Sequence, residues 1–583
     1  MSNPCFDLLK EWCDSLIDLQ IKENKRPELF GGILCPACGH IHGRCADAIY
    51  PMLYMADRTG DKRYLQSALD LYTWVDSNMS RSDGSYYNDT NQSWKGITVF
   101  FCIQLGESLM QYAHLLSEDT IARWAIRLEK AGEFIYTYFD GLKTNINYPI
   151  TLSAAMAVLW KITDNEKYLI KAKELAQKAT DFIAGDGLIF GEASPYPFTH
   201  TTPKGCRAVD LGYNVEESLP GLVTYAKLTN DTKIMDVAIK SMQAHLEFML
   251  PDGGWDNSWG SRIAKWTYWG SRTSDGCQAA YGVLADKNPA FAQAAWRNFL
   301  LYKKCTYGGL LHGGPMYVSA YEPACVHHTF CHAKSLAIWL RHGFEEPEYT
   351  LLPRENADGI KHFPTVDVSL LAKGDWRATV SGNDFEVIDG GNAKNALTML
   401  WHKKAGPVLA AGMTDYYMTE PYNMQLSRHG EIKCQTPRLE YCEEGEFFSN
   451  INDKTAEMKI ADDEKITVST KGILRDKYQD GEFVYSIDYA ISKDEFFVSV
   501  LTNAENAVYK LPVISSSDDR VEIEKNHAVI TSNSYKISIK SESEIYAENI
   551  NKRSFNPVGG FQALELYIKT SAGRKTFLTV KVY

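Results

Sequence analysis

Long apolar runs are missing from this chain of 583 residues: none approaches the roughly 18 to 20 consecutive apolar residues that span a bilayer, so no membrane insertion is predicted. MSNPCFDLLKEW has no basic segment followed by an apolar one, so these residues are not expected to act as a secretory leader. Taken as native and complete, that N-terminus predicts a cytoplasmic protein. Positive charge is scarce. Lys and Arg total 61 against 73 Asp and Glu, and the net charge of −12 argues against a nonspecific nucleic-acid binder, whose phosphate contacts need a basic surface. The 13 cysteines are odd in number and scattered, so no disulfide framework is expected. What is present is a globular balance, 45% hydrophobic and 23% charged. Aromatics exceed the needs of a core, with 13 Trp, 33 Tyr and 24 Phe, which fits a ligand made of sugar rings.

Up to about residue 343 the apolar pattern is helical, and after about residue 365 it alternates with a period near two. An internal repeat organises the first part. The segments 56–72, 160–176 and 226–242 align without gaps, superposing Thr59, Thr163 and Thr229, then Arg63, Lys167 and Lys233, then Ala68, Ala172 and Ala238. Each copy reads as one helix, a short polar turn, and a second helix opened by Asp or Asn. About twelve helices, or six to seven such hairpins, follow from this pattern. Hairpins of this kind stack as an open solenoid or close into a ring. Long loops rich in Gly, Trp and Tyr separate them, and loops of that length in a compact domain are usually functional. A closed (α/α) toroid over residues 1–345, with these loops at one mouth, is therefore predicted. From residue 346 to 583, strand-like runs such as WRATVSG, FVYSIDYAI and TFLTVKVY at short intervals predict an antiparallel β-sandwich.

The stretch DNSWGSRIAKWTYWGSRTSDG (256–276) places Arg262, Lys265 and Arg272 among Trp259, Trp266, Tyr268 and Trp269. Local acids are few, and a planar guanidinium suits bidentate carboxylate recognition. These cations are read as binding a uronate carboxylate while the aromatic rings stack on sugars; the rival reading pairs them with distant acids such as Asp210, Glu216 or Glu217. Two further segments, CPACGHIHGRC (35–45) and CVHHTFCH (325–332), carry clustered Cys and His. A toroid brings its first and last hairpins together, so Cys35, Cys38, Cys325 and His328 are candidate ligands of a tetrahedral structural zinc. In the rival reading the histidines meet substrate: His42 beside Arg44, and His327 or His328.

A helical toroid followed by an antiparallel β domain, with cationic aromatic loops and the run GPVLAAGM in the β part, resembles the polysaccharide lyases of the heparinase II/III and chondroitin/hyaluronan lyase type. That resemblance implies β-elimination at C4 of a glucuronic acid in a glycan, leaving a 4,5-unsaturated uronate. It also implies that no cofactor is needed for the chemistry, and a periplasmic or cell-surface location in a glycan-degrading bacterium. The chemistry has three needs. The substrate carboxylate must be neutralised to make its neighbouring C5 proton acidic, a base must take that proton, and an acid must protonate the leaving oxygen. In such lyases the relevant residues run in the order Asn, His, Tyr, Arg. Here that order is carried by Asn147 (or Asn145), His200, Tyr213, and Arg262 with Arg272. Each has a plain structural reading as well: Asn147 as a helix cap, His200 as a structural or incidental loop residue, and Tyr213 as packing at a helix entry. Lyases that release rhamnose from glucuronate at chain ends also fit, since long basic tracts for heavily sulfated glycans are lacking.

Two other functions compete. A glycoside hydrolase on acidic glycans needs paired carboxylates, for which Asp83, Asp89, Glu192, Glu216, Glu217 and Asp256 are available. A noncatalytic glycan-binding protein would lose binding rather than turnover on changing Arg272.

Overall fold

The computed structural model describes residues 3–22, 26–90, 93–385, 394–414, 416, 432–462 and 465–583. Its helices are α1 (Pro4–Leu19), α2 (Ile49–Thr59), α3 (Lys62–Asn78), α4 (Thr98–Tyr112), α5 (Glu118–Tyr138), α6 (Asn147–Thr163), α7 (Glu166–Ala179), α8 (the single turn Leu211–Tyr213), α9 (Leu219–Thr229), α10 (Thr232–Leu246), α11 (Pro289–Cys305), α12 (Val326–Arg341) and the short α13 (Pro353–Asn356).

The three sequence repeats are the turns of α2–α3, α6–α7 and α9–α10, and each repeated residue has a mechanical task. Thr59, Thr163 and Thr229 turn their hydroxyls back onto the carbonyls of Met55, Leu159 and Tyr225 at 2.6–2.8 Å. The next residue, Gly60, Asp164 or Asn230, takes the left-handed conformation that ends the helix. Asp61, Asn165 and Asp231 then cap the following helix by accepting from backbone N–H groups. Ala68, Ala172 and Ala238 are fully buried, where any longer side chain would hold the paired helices apart.

The ring closes on itself. Helix α12 packs against α1 and α2, and Trp12 donates its indole N–H to Thr306 across the seam at 3.0 Å. Between α8 and α9 the chain widens into a π-helical turn at Asn214–Ser218. Pro220 explains it: proline has no N–H to return to the Glu216 carbonyl, and its ring pushes that carbonyl away. The wider turn carries the consecutive Glu216 and Glu217 on a segment buried throughout.

The second part begins with a five-stranded antiparallel meander formed by Gly359–Phe363, Val368–Lys373, Trp376–Ser381, Ala396–His402 and Gly406–Ala410. An eight-stranded and a six-stranded antiparallel sheet complete it. The meander is covered on both faces, and the alternation of a strand divides its side chains. Leu370, Met399 and Trp401 join the core of the toroid, while Leu371, Ala378 and Leu400 join the core shared with the other sheets. Toroid and β domain are thus continuous. Arg354 of α13 locks the crossing by pairing with buried Asp256 at 2.7 Å.

Candidate active site

A polar cavity of about 270 Å³ opens at the toroid mouth. Its wall is assembled from the inter-helix loops, with Trp94 ahead of α4, Tyr148 at the start of α6, Tyr213 in α8, Arg262 from the 256–276 loop and His327 at the start of α12. The Tyr213 hydroxyl meets Thr273 Oγ1 at 2.5 Å, and the Arg262 guanidinium lies 4.2 Å over its ring. Arg262 also reaches Glu192 Oε2 at 3.1 Å, where the Glu192 side chain is wholly buried.

Glu217 lines the floor. It accepts from Asn147 Nδ2 at 2.6 Å, while the Asn147 backbone N–H donates to Glu192 at 3.0 Å. Asn147 therefore ties the two carboxyls into one network. Arg44 stands 3.7 Å from Glu217 but is held mainly by Asp47 and Asp275, at 2.8 and 2.7 Å. Burial raises the Glu192 pKa to about 7, the attraction of Arg262 only partly opposing it. Burial likewise pushes Glu217 up to about 8 against the pull of Arg44. His327 is driven the other way, well below its ordinary value, first by burial and then by Arg44. At neutral pH the cavity thus presents a protonated acid on its floor and an uncharged imidazole in its wall. Neighbouring Glu216 is held by the Ser271 N–H at 3.0 Å and by the Ser274 hydroxyl. A side chain at Gly270, whose φ is +155°, would collide with its carboxylate.

These shifts set the pH dependence of stability. The native carboxyls keep protons that the unfolded chain has already lost, so their contribution is complete below about pH 4.5 and disappears as pH rises through 7 and 8. Thermal stability is expected to fall over that window, by an amount on the order of a few kcal/mol. Glu217→Gln should melt with a visibly flatter pH profile; an unchanged slope would contradict the assignment.

The structure gathers some of the residues picked from sequence and disperses others. Tyr213, Arg262, Arg44 and His327 line the cavity, and so does Asn145, with Asn147 bonded to its floor. Trp259, Trp266, Tyr268 and Trp269 require correction: all four are at most 1% exposed, and a ring shut inside the core cannot stack on a sugar. Trp266 and Trp269 spend their indole N–H groups on the carbonyls of Trp255 and His312. Half-buried Trp94 and Tyr148 supply the aromatic wall instead, joined by a 2.8 Å hydrogen bond. Lys265 is also buried. Arg272 is corrected as well: it is fully buried and donates to the Pro557 carbonyl at 2.9 Å, against the β domain. His200 stacks on Tyr196 and meets Phe385 edge-on, away from the cavity wall.

Of the proposed metal ligands, Cys35, Cys38 and Cys325 stand together, but His328 does not complete them. Its ring packs on Trp269, and the imidazole beside the sulfurs belongs to His42. His42 is therefore removed from the cavity. Sequence reasoning weighed Glu192 and Glu217 only as hydrolase acids or as partners of Arg and Lys. The signal for Glu192 is one charge in the apolar run LIFGEASPYPF.

The Ulvan lyase N-terminal domain family matches residues 9–355, and the Ulvan lyase C-terminal domain family matches residues 360–583. A broad-specificity ulvan lyase of Formosa agariphila is 41% identical over 97% of this chain and 91% of its own. Chondroitin AC lyase of Streptomyces coelicolor A3 is similar in fold, with a TM-score of 0.50 at 11% identity over 100% of this chain and 83% of that one. Heparan sulfate lyase HepC from Pedobacter heparinus, at 11% identity, covers 100% and 84% with a TM-score of 0.46.

Proposed function

Since the chain belongs to the ulvan lyase family and is a lyase acting on polysaccharides, we propose that it cleaves an ulvan-like glycan at C4 of a glucuronic acid by β-elimination. The observation that carries this reading is the cavity wall itself, where Tyr213, Arg262 and Glu217 line one cavity and the Arg262 guanidinium lies over the Tyr213 ring.

The uronate carboxylate is bound by the Arg262 guanidinium and by the proton that burial keeps on Glu217. Both interactions strengthen as charge moves from C5 onto the carboxylate, which is the condition for lowering the barrier. Tyr213 is the proton-transferring group: as the phenolate it takes the C5 proton, and as the phenol it passes that proton to O4 as the C4–O4 bond breaks. Arg262 over its ring supports the negative charge that the phenolic oxygen carries in passing, and Thr273 fixes the direction of the hydroxyl. His327 completes the wall as an uncharged hydrogen-bonding partner of the sugar. Trp94 and Tyr148, their rings edge to face at 75°, supply the apolar wall beside the neighbouring ring. A polysaccharide substrate is met outside the cytoplasmic membrane, and this supports a periplasmic or cell-surface location.

Synthetic oligosaccharides that carry either glucuronate or its C5 epimer at the scissile position test the specificity. Ultraviolet absorbance of the 4,5-unsaturated end is expected to grow with the glucuronate compound. Cleavage of the epimer alone would refute the glucuronate assignment, and new saturated reducing ends without absorbance would refute elimination.

A further inference from the structure

We propose that Cys35, Cys38, His42 and Cys325 form a structural zinc site that pins the seam of the toroid beside the active-site cavity. Cys35 and Cys38 sit on a tight turn closed by a bridge between Leu34 and Ile41, with the Cys35 N–H donating to the His40 carbonyl at 2.8 Å. The turn needs Gly39, whose φ is +70°. His42 follows the turn directly, and Cys325 immediately precedes α12 at the opposite end of the ring.

Three of the donor–donor distances already match the edges of a small tetrahedron. Cys35 Sγ and Cys325 Sγ are 3.7 Å apart. His42 Nε2 lies 3.3 Å from Cys38 Sγ and 3.5 Å from Cys325 Sγ. The donor atoms of Cys35, Cys38 and His42 all fall within 4.8 Å of one another. Tetrahedral zinc with Zn–S bonds of ~2.3 Å and a Zn–N bond of ~2.0 Å requires S···S edges of about 3.8 Å and N···S edges of about 3.5 Å. A disulfide would employ two of the three sulfurs and leave the imidazole without a task. The second nitrogen of His42 is also settled: Nδ1 meets Asp89 at 3.1 Å, the carboxylate partner that orients a metal-bound histidine. Asp89 is 4% exposed and His42 is 1% exposed, so water does not compete for either.

The consequence reaches the active site. His327 is two residues beyond Cys325, and its ring centroid is 5.5 Å from that of His42, so the metal fixes one wall of the cavity. The test uses the full chain purified without chelators. About one zinc per chain is expected by elemental analysis, and the cobalt-substituted protein should show the thiolate charge-transfer bands of a tetrahedral site. Cys35→Ser and Cys325→Ser should each lose the metal, while His328→Ala keeps it. Asp89→Asn should weaken zinc binding by about 10- to 100-fold. Because the cysteine variants can fail to fold, the wild-type metal content and cobalt spectrum decide. Absence of stoichiometric zinc after zinc-supplemented expression, an octahedral cobalt spectrum, or a Cys35–Cys325 disulfide in the native protein would overturn the proposal.

Discussion

Tyr213→Phe is expected to lower kcat/KM by roughly a hundred- to ten-thousand-fold, the usual worth of a positioned acid–base group, with little change in fold. The phenolic oxygen hydrogen-bonds to Thr273, and loss of such a bond costs about 1 kcal/mol. The ring keeps its contact with Arg262, and the cavity keeps its shape. The experiment is a comparison of initial rates, read from the unsaturated product, together with a melting curve. If the Phe variant retained a tenth or more of wild-type kcat/KM, proton transfer would have to be assigned elsewhere. Thr273→Val is a milder companion, because it leaves the hydroxyl of Tyr213 in place and removes only its tether.

Arg262→Ala should impair the enzyme twice over. Loss of a preorganised cation at the developing charge costs about a hundred- to a thousand-fold in kcat. The same change strands Glu192, buried and 3.1 Å from the missing guanidinium, and breaking a buried pair costs roughly 3–5 kcal/mol. The second effect depends on pH with a known sign. Glu192, already raised to about 7 beside Arg262, rises further without it and can shed its penalty by taking a proton. Destabilisation is therefore expected to be larger above pH 7 than below it. Adding Glu192→Gln removes the stranded charge. The double variant should recover most of the melting temperature while its activity stays low, and recovery of both would reduce Arg262 to a structural role.

The toroid was legible because its determinants are local. A threonine turned onto its own helix, a left-handed residue and a side-chain cap recur within a dozen residues, and the three copies announce one another. The strands were legible through their alternation. Tyr213 and Arg262 stood out as chemistry-bearing residues in irregular loops. The failures share a cause, which is distance along the chain. Nothing in the 256–276 loop reveals that the β domain will cover it, yet Gly559 donates to the Trp266 carbonyl and Pro557 accepts from Arg272. The cover takes Trp266 and Tyr268 into the core, while Trp259 and Trp269 pack within the toroid on Phe248, Tyr302 and His332. Glu192 meets Arg262 from 70 residues away, and the choice between His42 and His328 depends on how two distant segments abut. His200 was chosen for its chemistry alone, and its neighbours Tyr196 and Phe385 come from its own loop and from the β domain.

The seam also says something about birth on the ribosome. Cys35 and Cys325 are 290 residues apart in the chain, an interval that takes on the order of 15–60 s to synthesise at typical elongation rates. Throughout that interval α1 must wait with Leu9, Trp12 and Leu16, all buried in the finished ring, facing no partner from α12. The helical part cannot close before α12 is made, so circularity is the last thing it acquires.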